Sequence, residues 1–350
     1  MLDKKAARRV QLRLSFKGEG VPKDIGQHLT GASYTDEEED SADDFQMEFE
    51  DREDKLLGRW IDISQEYMGR GRDVVSATLI QRNWDGKGKD VALRLGTFEI
   101  DGMEVSGPPD KAVAKCTSIP YTSRLRMEKR SKAWENYTLR GIGEEIAGRA
   151  GMGLMYEASE NPEYKRKEQL LTSDIRFLQG LCHAAGMALK VTDMTVVIFD
   201  AAEYDRKPPS RTFRKGSGDI ISYKLTKGMT DTAYTSCHVV YTDSGSKETI
   251  EFTYTPDPHA GTGQTLEVNE KVSSTDEARK LARKRLREKN AQEYTAALTV
   301  VGDVSLVAGI TVMLEGFQQF DRKYKVTRAK HRLLGGYTVE LSLKQALEGY

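Results

Sequence analysis

The apolar period of this chain changes twice, from strand-like to helix-like and back, and that double change limits what it folds into. VQLRLSF places Val10, Leu12, Leu14 and Phe16 on one face of a strand, and FQMEF does the same with Phe45, Met47 and Phe49. VVSATLIQRNW, VALRLGTFEI, GMEVSG and VAKCTSI continue the series, with Asp101-Gly102 read as a hairpin turn and Pro108-Pro109 closing the stretch. Short strands at this spacing predict a small barrel or sandwich. From Thr138 the apolar residues Leu139, Ile142, Ile146 and Ala150 follow helical spacing. SDIRFLQGLCHAAG predicts a second helix with Ser173 as N-cap, Ile175, Leu178, Cys182 and Ala185 on one face, and Gly186 as its C-terminal stop. MALKV and MTVVIF then flank Thr192-Asp193 as a hairpin, and EYDRKPPSRTFRKGSGD reads as a linker. The strand period returns in IISYKL, CHVVYTD, TIEFTYT, LTVVGD, ITVMLEGF, YKVTRAKH and YTVELSL. One helix interrupts it, SSTDEARKLARKRLREKN, with Ser274 and Glu277 as a capping box and a narrow stripe of Ala278, Leu281, Ala282 and Leu286, predicted to pack on one side and stay wet on the other. The fold class is therefore α+β, mainly β: a β region over 1–112, an α+β module over 113–205 and a second β region over 206–350 that carries a basic helix at about 274–292.

The length of 350 residues suits two or three domains, and 38% hydrophobic with 31% charged residues describes a folded chain with a large charged surface. With 53 basic against 54 acidic side chains, the balance argues against a general nucleic-acid binder. Cys116, Cys182 and Cys237 are odd in number and widely spaced, which points to a reducing compartment and no disulfide framework. MLDKKAARRV has no apolar segment after it and is not read as a secretory signal, and no apolar run reaches the length of a membrane span.

Several motifs invite a chemical reading. TDEEEDSADD, with Asp36, Glu37, Glu38, Glu39, Asp40, Asp43 and Asp44, lacks the alternating ligands and central glycine of a calcium loop and reads as a solvated loop. Cys182-His183 and Cys237-His238 are adjacent pairs, which point apart on a helix or strand, so core cysteines are the better reading than zinc ligands. The helix from Asp276 to Asn290 carries Arg279, Lys280, Arg283, Lys284, Arg285, Arg287 and Lys289 without interleaved aromatics, which favours a solvated or acid-facing surface over a phosphate grip. Glu144-Glu145 do not face each other, GIGEEIAG lacks the third glycine and preceding strand of a dinucleotide site, and His331 reads as structural. No catalytic, cofactor-binding or metal-binding residue is assigned.

In order along the chain, these blocks resemble the phage late control protein D family, the baseplate hub proteins of contractile tails and related injection systems. SYTDEEEDSADDFQMEFEDRE carries Tyr34, Asp36, Ala42-Asp43-Asp44 and Asp51, with Trp60 beyond; LGTFEIDGMEVSGPP carries Gly96, Phe98, Asp101 and Gly107-Pro108-Pro109. KAWENYTL is followed by QLLTSDIRFLQGLCHAAGMALKV with Ser173-Asp174, Phe177-Leu178 and Gly186. The end supplies Gly302-Asp303, Ala308-Gly309, Gly316, Tyr324, His331 and Gly336-Tyr337; in DRKY, Arg322 stands where such proteins often have a turn glycine. The resemblance implies two tail-tube-like β-barrel domains with the α+β module between them, in a homotrimer. Three chains then offer six barrels to a six-fold tail tube and three-fold symmetry to a spike, around a central channel. It implies as partners the tail tube or tube-initiator protein, the spike and baseplate wedge proteins, with no membrane, no specific nucleic acid and no cofactor. Synthesis is expected in the bacterial cytoplasm, followed by assembly into a virion tail or tail-like particle. VTRAKHRLLGGYTVELSLKQAL becomes the hairpin that closes a barrel, with Tyr337, Val339, Leu341 and Leu343 as its core face. Two alternatives from other classes are a tail-tip peptidoglycan hydrolase and a nucleic-acid-binding module built on the helix from Asp276.

Overall fold

The structure, a computed structural model, describes residues 7–16, 19–20, 28–38, 42–50, 74–84, 86, 88–118, 124–228, 230–242, 248–257 and 263–349; Glu39, Asp40, Asp51 and Trp60, named above, lie outside them, as does the side chain of Phe16. The first β region holds β1 (Arg9–Phe16), the two-residue β2 (Glu19–Gly20), β3 (Leu29–Glu37), β4 (Asp44–Glu50), β5 (Val74–Arg82), β6 (Val91–Ser106) and β7 (Lys111–Thr117). The middle holds α1 (Arg124–Met127), β8 (Lys129–Thr138), α2 (Leu139–Arg149), β9 (Gly153–Glu157), β10 (Glu163–Ser173), α3 (Asp174–Ala184), β11 (Ala188–Thr192), β12 (Thr195–Phe199) and α4 (Ala201–Arg206). Then follow β13 (Arg211–Arg214), β14 (Ile220–Lys227), β15 (Ser236–Thr242), β16 (Thr249–Tyr254), β17 (Thr265–Val268), α5 (Thr275–Asn290), β18 (Tyr294–Val301), β19 (Thr311–Glu315), β20 (Lys323–Leu333) and β21 (Thr338–Gln345). The chain is mainly β, as its periodicity predicts.

Among the described residues the two β regions meet in one 13-stranded sheet, ordered β14-β18-β21-β20-β3-β4-β7-β6-β5-β1-β2, with β19 pairing β20 and β13 pairing β19. The seam is the antiparallel pair β20·β3, from Arg328↔Glu37 to Leu333↔Ala32. β20 is long enough to serve three neighbours: Lys323–Lys325 pair with β19, Arg328–Leu333 with β3, and its other edge runs along β21. A bulge between Val326 and Arg328 shifts its register. The buried residues accordingly change from even (Tyr324, Val326) to odd positions (Ala329, His331, Leu333), so the strand keeps an apolar face toward the core on both sides of the bulge. The core is continuous across the seam: Tyr34, Phe45, Met47 and Phe98 from the first region pack with Leu298, Val326, Val339 and Leu341 from the second. The stretch Val326–Leu347 is thus a hairpin as expected, and its β20 strand joins the two β regions.

Three expectations change at this level. Asp101-Gly102 is no hairpin: β6 runs unbroken through it, bulging between Ile100 and Gly102 as it turns from its β5 partner toward β7. The reversal comes instead at Gly107–Asp110. The stretch read as a linker contains the end of α4 and all of β13, and Phe213 in that strand is fully buried. The wet side expected of α5 is partly an interior side, because Lys284, Arg287 and Asn290 are buried beside its apolar stripe.

The middle region packs α2 and α3 with the sheet β11-β12-β9 around Trp134, Leu139, Ile142, Leu178 and Cys182. Thr138 caps α2, its hydroxyl accepting from Gly141 N at 3.0 Å, a contact of the kind worth about 1 kcal/mol. Ser173 precedes α3 in extended conformation without a side-chain capping bond, and Gly186 ends it at φ +77°. The β11–β12 turn is made by Asp193 and Met194, both at positive φ, one residue later than predicted. Strands β15 to β17 stand outside the large sheet; with α5 they form a small unit around Cys237, Val239, Leu281 and Leu286. The two chain segments leading into and out of that unit touch where Gly228 N donates to Glu293 O at 2.7 Å.

Candidate functional site

The acidic run is where the sequence reading departs furthest from the structure. In β3, Tyr34 and Asp36 share a strand face, and Glu38 continues it one residue past the strand end; all three are buried, as is Asp43 at 0% exposure. Charges driven inward need partners, and each has one from another part of the fold. Asp36 pairs with Lys190 of β11 and accepts from Ala308 N at 2.9 Å. Asp43 accepts from Thr192 Oγ1 at 2.5 Å and Tyr34 OH at 3.2 Å, with Lys190 Nζ at 3.4 Å. Its backbone N–H donates to Ser118 Oγ, whose own hydroxyl donates to Val191 O. Glu38 pairs with Lys325 of β20 at 2.7 Å, and Lys325 also reaches Asp205 of α4 at 3.3 Å. The network therefore ties the first β region, the middle module and the second β region at one buried point.

Electrostatics follow from burial. Desolvation pushes Asp43 up to about 6, with Asp36 adding to the rise and Lys190 opposing it. Burial alone would lower the Lys190 ammonium, but Asp36 and Asp43 outweigh it and hold its pKa above the usual lysine value. Lys325 behaves likewise between Glu38 and Asp205. A carboxyl with a raised pKa in an accessible cleft would suggest acid–base chemistry, but Asp43 is enclosed and both of its oxygens accept hydrogen bonds. The arrangement holds parts together.

His331 sits next to this point and is also fully buried. Leu306 O, 2.9 Å from Nε2, is only an acceptor, so Nε2 carries the proton and Nδ1 accepts from Tyr337 OH at 2.8 Å. Burial lowers its pKa. His331 and Asp43 give opposite pH slopes. The unfolded chain binds a proton at His331 from about pH 6.5 downward while the folded chain resists, so this residue makes stability fall with falling pH. The folded chain protonates Asp43 near pH 6, ahead of the unfolded chain, so that residue makes stability rise as pH falls from about 6 to 4. Urea unfolding across pH 4–7 is expected to show stability falling less toward acid in His331→Gln, and rising less in Asp43→Asn, each against the wild type at the same pH. Parallel curves would contradict the assignment.

The other sequence candidates are buried or paired within the fold. Cys116, Cys182 and Cys237 are free and buried. Glu144 pairs with Arg140, and Glu145 with Lys132 and Arg149. Among the described residues no group of three or more His, Cys, Asp and Glu side chains is placed to hold a metal ion. The basic helix is engaged: Arg279 pairs with Asp276, Lys280 with Glu160, Arg285 with Glu270, Lys289 with Asp231, and Lys284 Nζ donates to Met187 O at 2.9 Å. An open cleft of about 550 Å³ lies between α3 and α5, lined by His183, Glu270, Glu277 and Arg285. Sequence reading missed Lys190, Lys325, Asp205 and Thr192. The available signal was parity, since Tyr34, Asp36 and Glu38 fall at every second position.

Solved structures place this architecture among tail proteins of phages and injection systems. A tail protein from Neisseria meningitidis MC58 is 14% identical, with 97% of this chain and 99% of that one covered at a TM-score of 0.69. The 43 kDa tail protein of prophage MuSo2 from Shewanella oneidensis is 13% identical over the same shares, at 0.70. The E. coli c3393 protein, a component of the type VI secretion system, is 12% identical, with 96% of this chain and 78% of that one covered at 0.55. At such identities the likeness establishes the fold. The sequence establishes the family: the phage tail baseplate hub (GPD) model matches residues 115–335, more than half of the chain, and the chain belongs to that family. The match starts at Lys115, after the Tyr34–Asp51 block. No curated protein sequence matches the chain.

Proposed function

We propose that this protein is the non-enzymatic central hub of a contractile phage tail or tail-like injection particle. It acts as a homotrimer that joins a six-fold tube to a three-fold spike around a channel. The observation that carries this reading is the seam: two β regions from opposite ends of the chain lie edge to edge in one sheet through β3·β20. A chain that holds two such units side by side supplies six per trimer, which is how a three-fold assembly meets a six-fold one. In this reading the first β region, expected to end at 112 but carried by β7 to Thr117, and the large-sheet strands of 206–350 are each a tube-like barrel, and the rest of 113–205 stands between them. The partners are the tube or tube-initiator protein, the spike and wedge proteins, assembled in the bacterial cytoplasm into the particle. Family membership and the tail-protein fold support the role.

Purified with the tube and spike proteins of the same particle, the chain is expected to form a complex holding three hub copies by light scattering. One or six copies would overturn the trimer. The hydrolase alternative is tested by cell-wall digestion with the purified chain. No lysis is expected, and lysis abolished by one carboxylate substitution would replace this reading. For nucleic acid, the salt-bridged state of α5 predicts no salt-sensitive DNA binding that depends on Arg279, Lys280 and Arg285.

A further inference from the structure

Among the described residues, strands β8 and β10 pair only with each other, as a two-stranded ribbon. Its bulge sets two residues, Leu170 and Leu171, against the single Ser131, since Gln169 faces Lys132 and Thr172 faces Arg130. The two leucines are 66% and 75% exposed, the most exposed large apolar side chains among the described residues. Leu171 also holds φ at +47°, a region that costs a residue other than glycine about 1–2 kcal/mol. Asparagine or glycine would suit both the backbone and the solvent better, so leucine is doubly unfavourable here in the free chain. The bulge is nevertheless fixed. Leu171 N donates to Ser131 Oγ at 3.2 Å. Buried Gln169 donates to Thr172 O at 3.0 Å and Asp174 Oδ1 at 2.8 Å while accepting from Trp134 Nε1 at 3.3 Å. Strain held in place by a buried network at an exposed apolar point is the signature of a contact surface.

We propose that this ribbon is a docking element, and that Leu170 and Leu171 insert into an apolar pocket bordered by carboxylates on a second protein of the particle. The proposal rests on the hub reading for the identity of the particle. The sign of the pocket's rim follows from Lys129 and Lys165 of the ribbon, both exposed and, among the described residues, in no ion pair, with Lys129 opposite Ser173 beside the bulge. A bilayer is the poorer occupant. Arg130, Lys132 and Arg166 already pair with Glu128, Glu145 and Glu168, and two leucines bury less apolar surface than a single acyl chain, which itself anchors only marginally. A preformed pocket uses the same two side chains well, because the fixed bulge loses little freedom on binding.

The test is the double variant Leu170→Ser/Leu171→Asn, introduced into a strain whose tail particles depend on this gene and, in parallel, purified. The purified variant is expected to melt no lower than the wild type, since asparagine tolerates the positive φ. It is also expected to keep the wild-type oligomeric state. Complete particles counted by electron microscopy should fall at least tenfold. Wild-type particle numbers with the variant incorporated would overturn the proposal. So would a changed oligomeric state, which would make the occupant a second copy of this chain, or variant-sensitive binding to phosphatidylglycerol vesicles, which would make it a membrane. Failure of the wild-type gene itself to restore particles would instead count against the hub reading.

Discussion

Replacing Lys190 with methionine is expected to lower the unfolding free energy by about 3–5 kcal/mol at pH 7.5, the range for removing one partner of a buried ion pair. Lys190 is the cation shared by Asp36 and Asp43. Without it, two carboxylates remain buried within reach of each other, and desolvation already pushes Asp43 up to about 6 with its cation present. The variant's deficit should therefore shrink toward pH 5, where a carboxyl takes up a proton and its charge disappears. Lys190→Met combined with Asp43→Asn should recover part of the loss, because the orphaned charge goes with the mutation. Equilibrium urea unfolding at both pH values measures all of this. A single variant within 1 kcal/mol of wild type would show that the joint is not held by this network.

Gly302→Ala is expected to be nearly as damaging, at about 3 kcal/mol, the upper end for forcing one carbon into a packed interior. A Cβ built at this position falls 2.1 Å from Tyr337 Cδ1 and 2.2 Å from Cγ. The ring cannot simply swing away. Its hydroxyl donates to buried His331, its edge meets Trp84 at 6.1 Å between centroids, and Gly302 N donates to Tyr337 O at 2.9 Å. Gly302 O in turn accepts from Gln81 Nε2 of the first β region at 3.1 Å. The added methyl is thus expected to loosen the seam itself. Hydrogen exchange should rise at β3 and β20 more than in α2 and α3, and Gly302→Ala/Tyr337→Leu should be less damaging than the separate effects added together. Uniform exchange rates across the chain would contradict this account.

Where local periodicity decides structure, the sequence is easily read. Helices α2, α3 and α5, strands β4, β5, β7, β18 and β21, and the glycine stop at Gly186 follow from spacing that neighbouring residues set for themselves. What escaped reading depends on partners distant in sequence. Asp101-Gly102 has the chemistry of a turn, but β7 continues to pair with β6 beyond it, so the strand bulges there. Asp36 looks solvated until Lys190, some 150 positions away, supplies the counter-charge that makes its burial tolerable. The same holds for α5: its cations look like a wet face, yet Lys284 finds Met187 O and is buried. The family resemblance brought the functional role within reach, while the charged joint required three-dimensional neighbours.

The central claim is that one chain places two β units side by side so that three chains meet a six-fold tube. A cryo-electron microscopy map of the assembled particle, refined without imposed symmetry, tests it most directly. The account predicts three copies of this chain between tube and spike, each with β3 and β20 paired within the same chain and its two β units occupying adjacent positions of a six-membered ring. A ring made by six copies, or two β units that do not both face the tube, would contradict it.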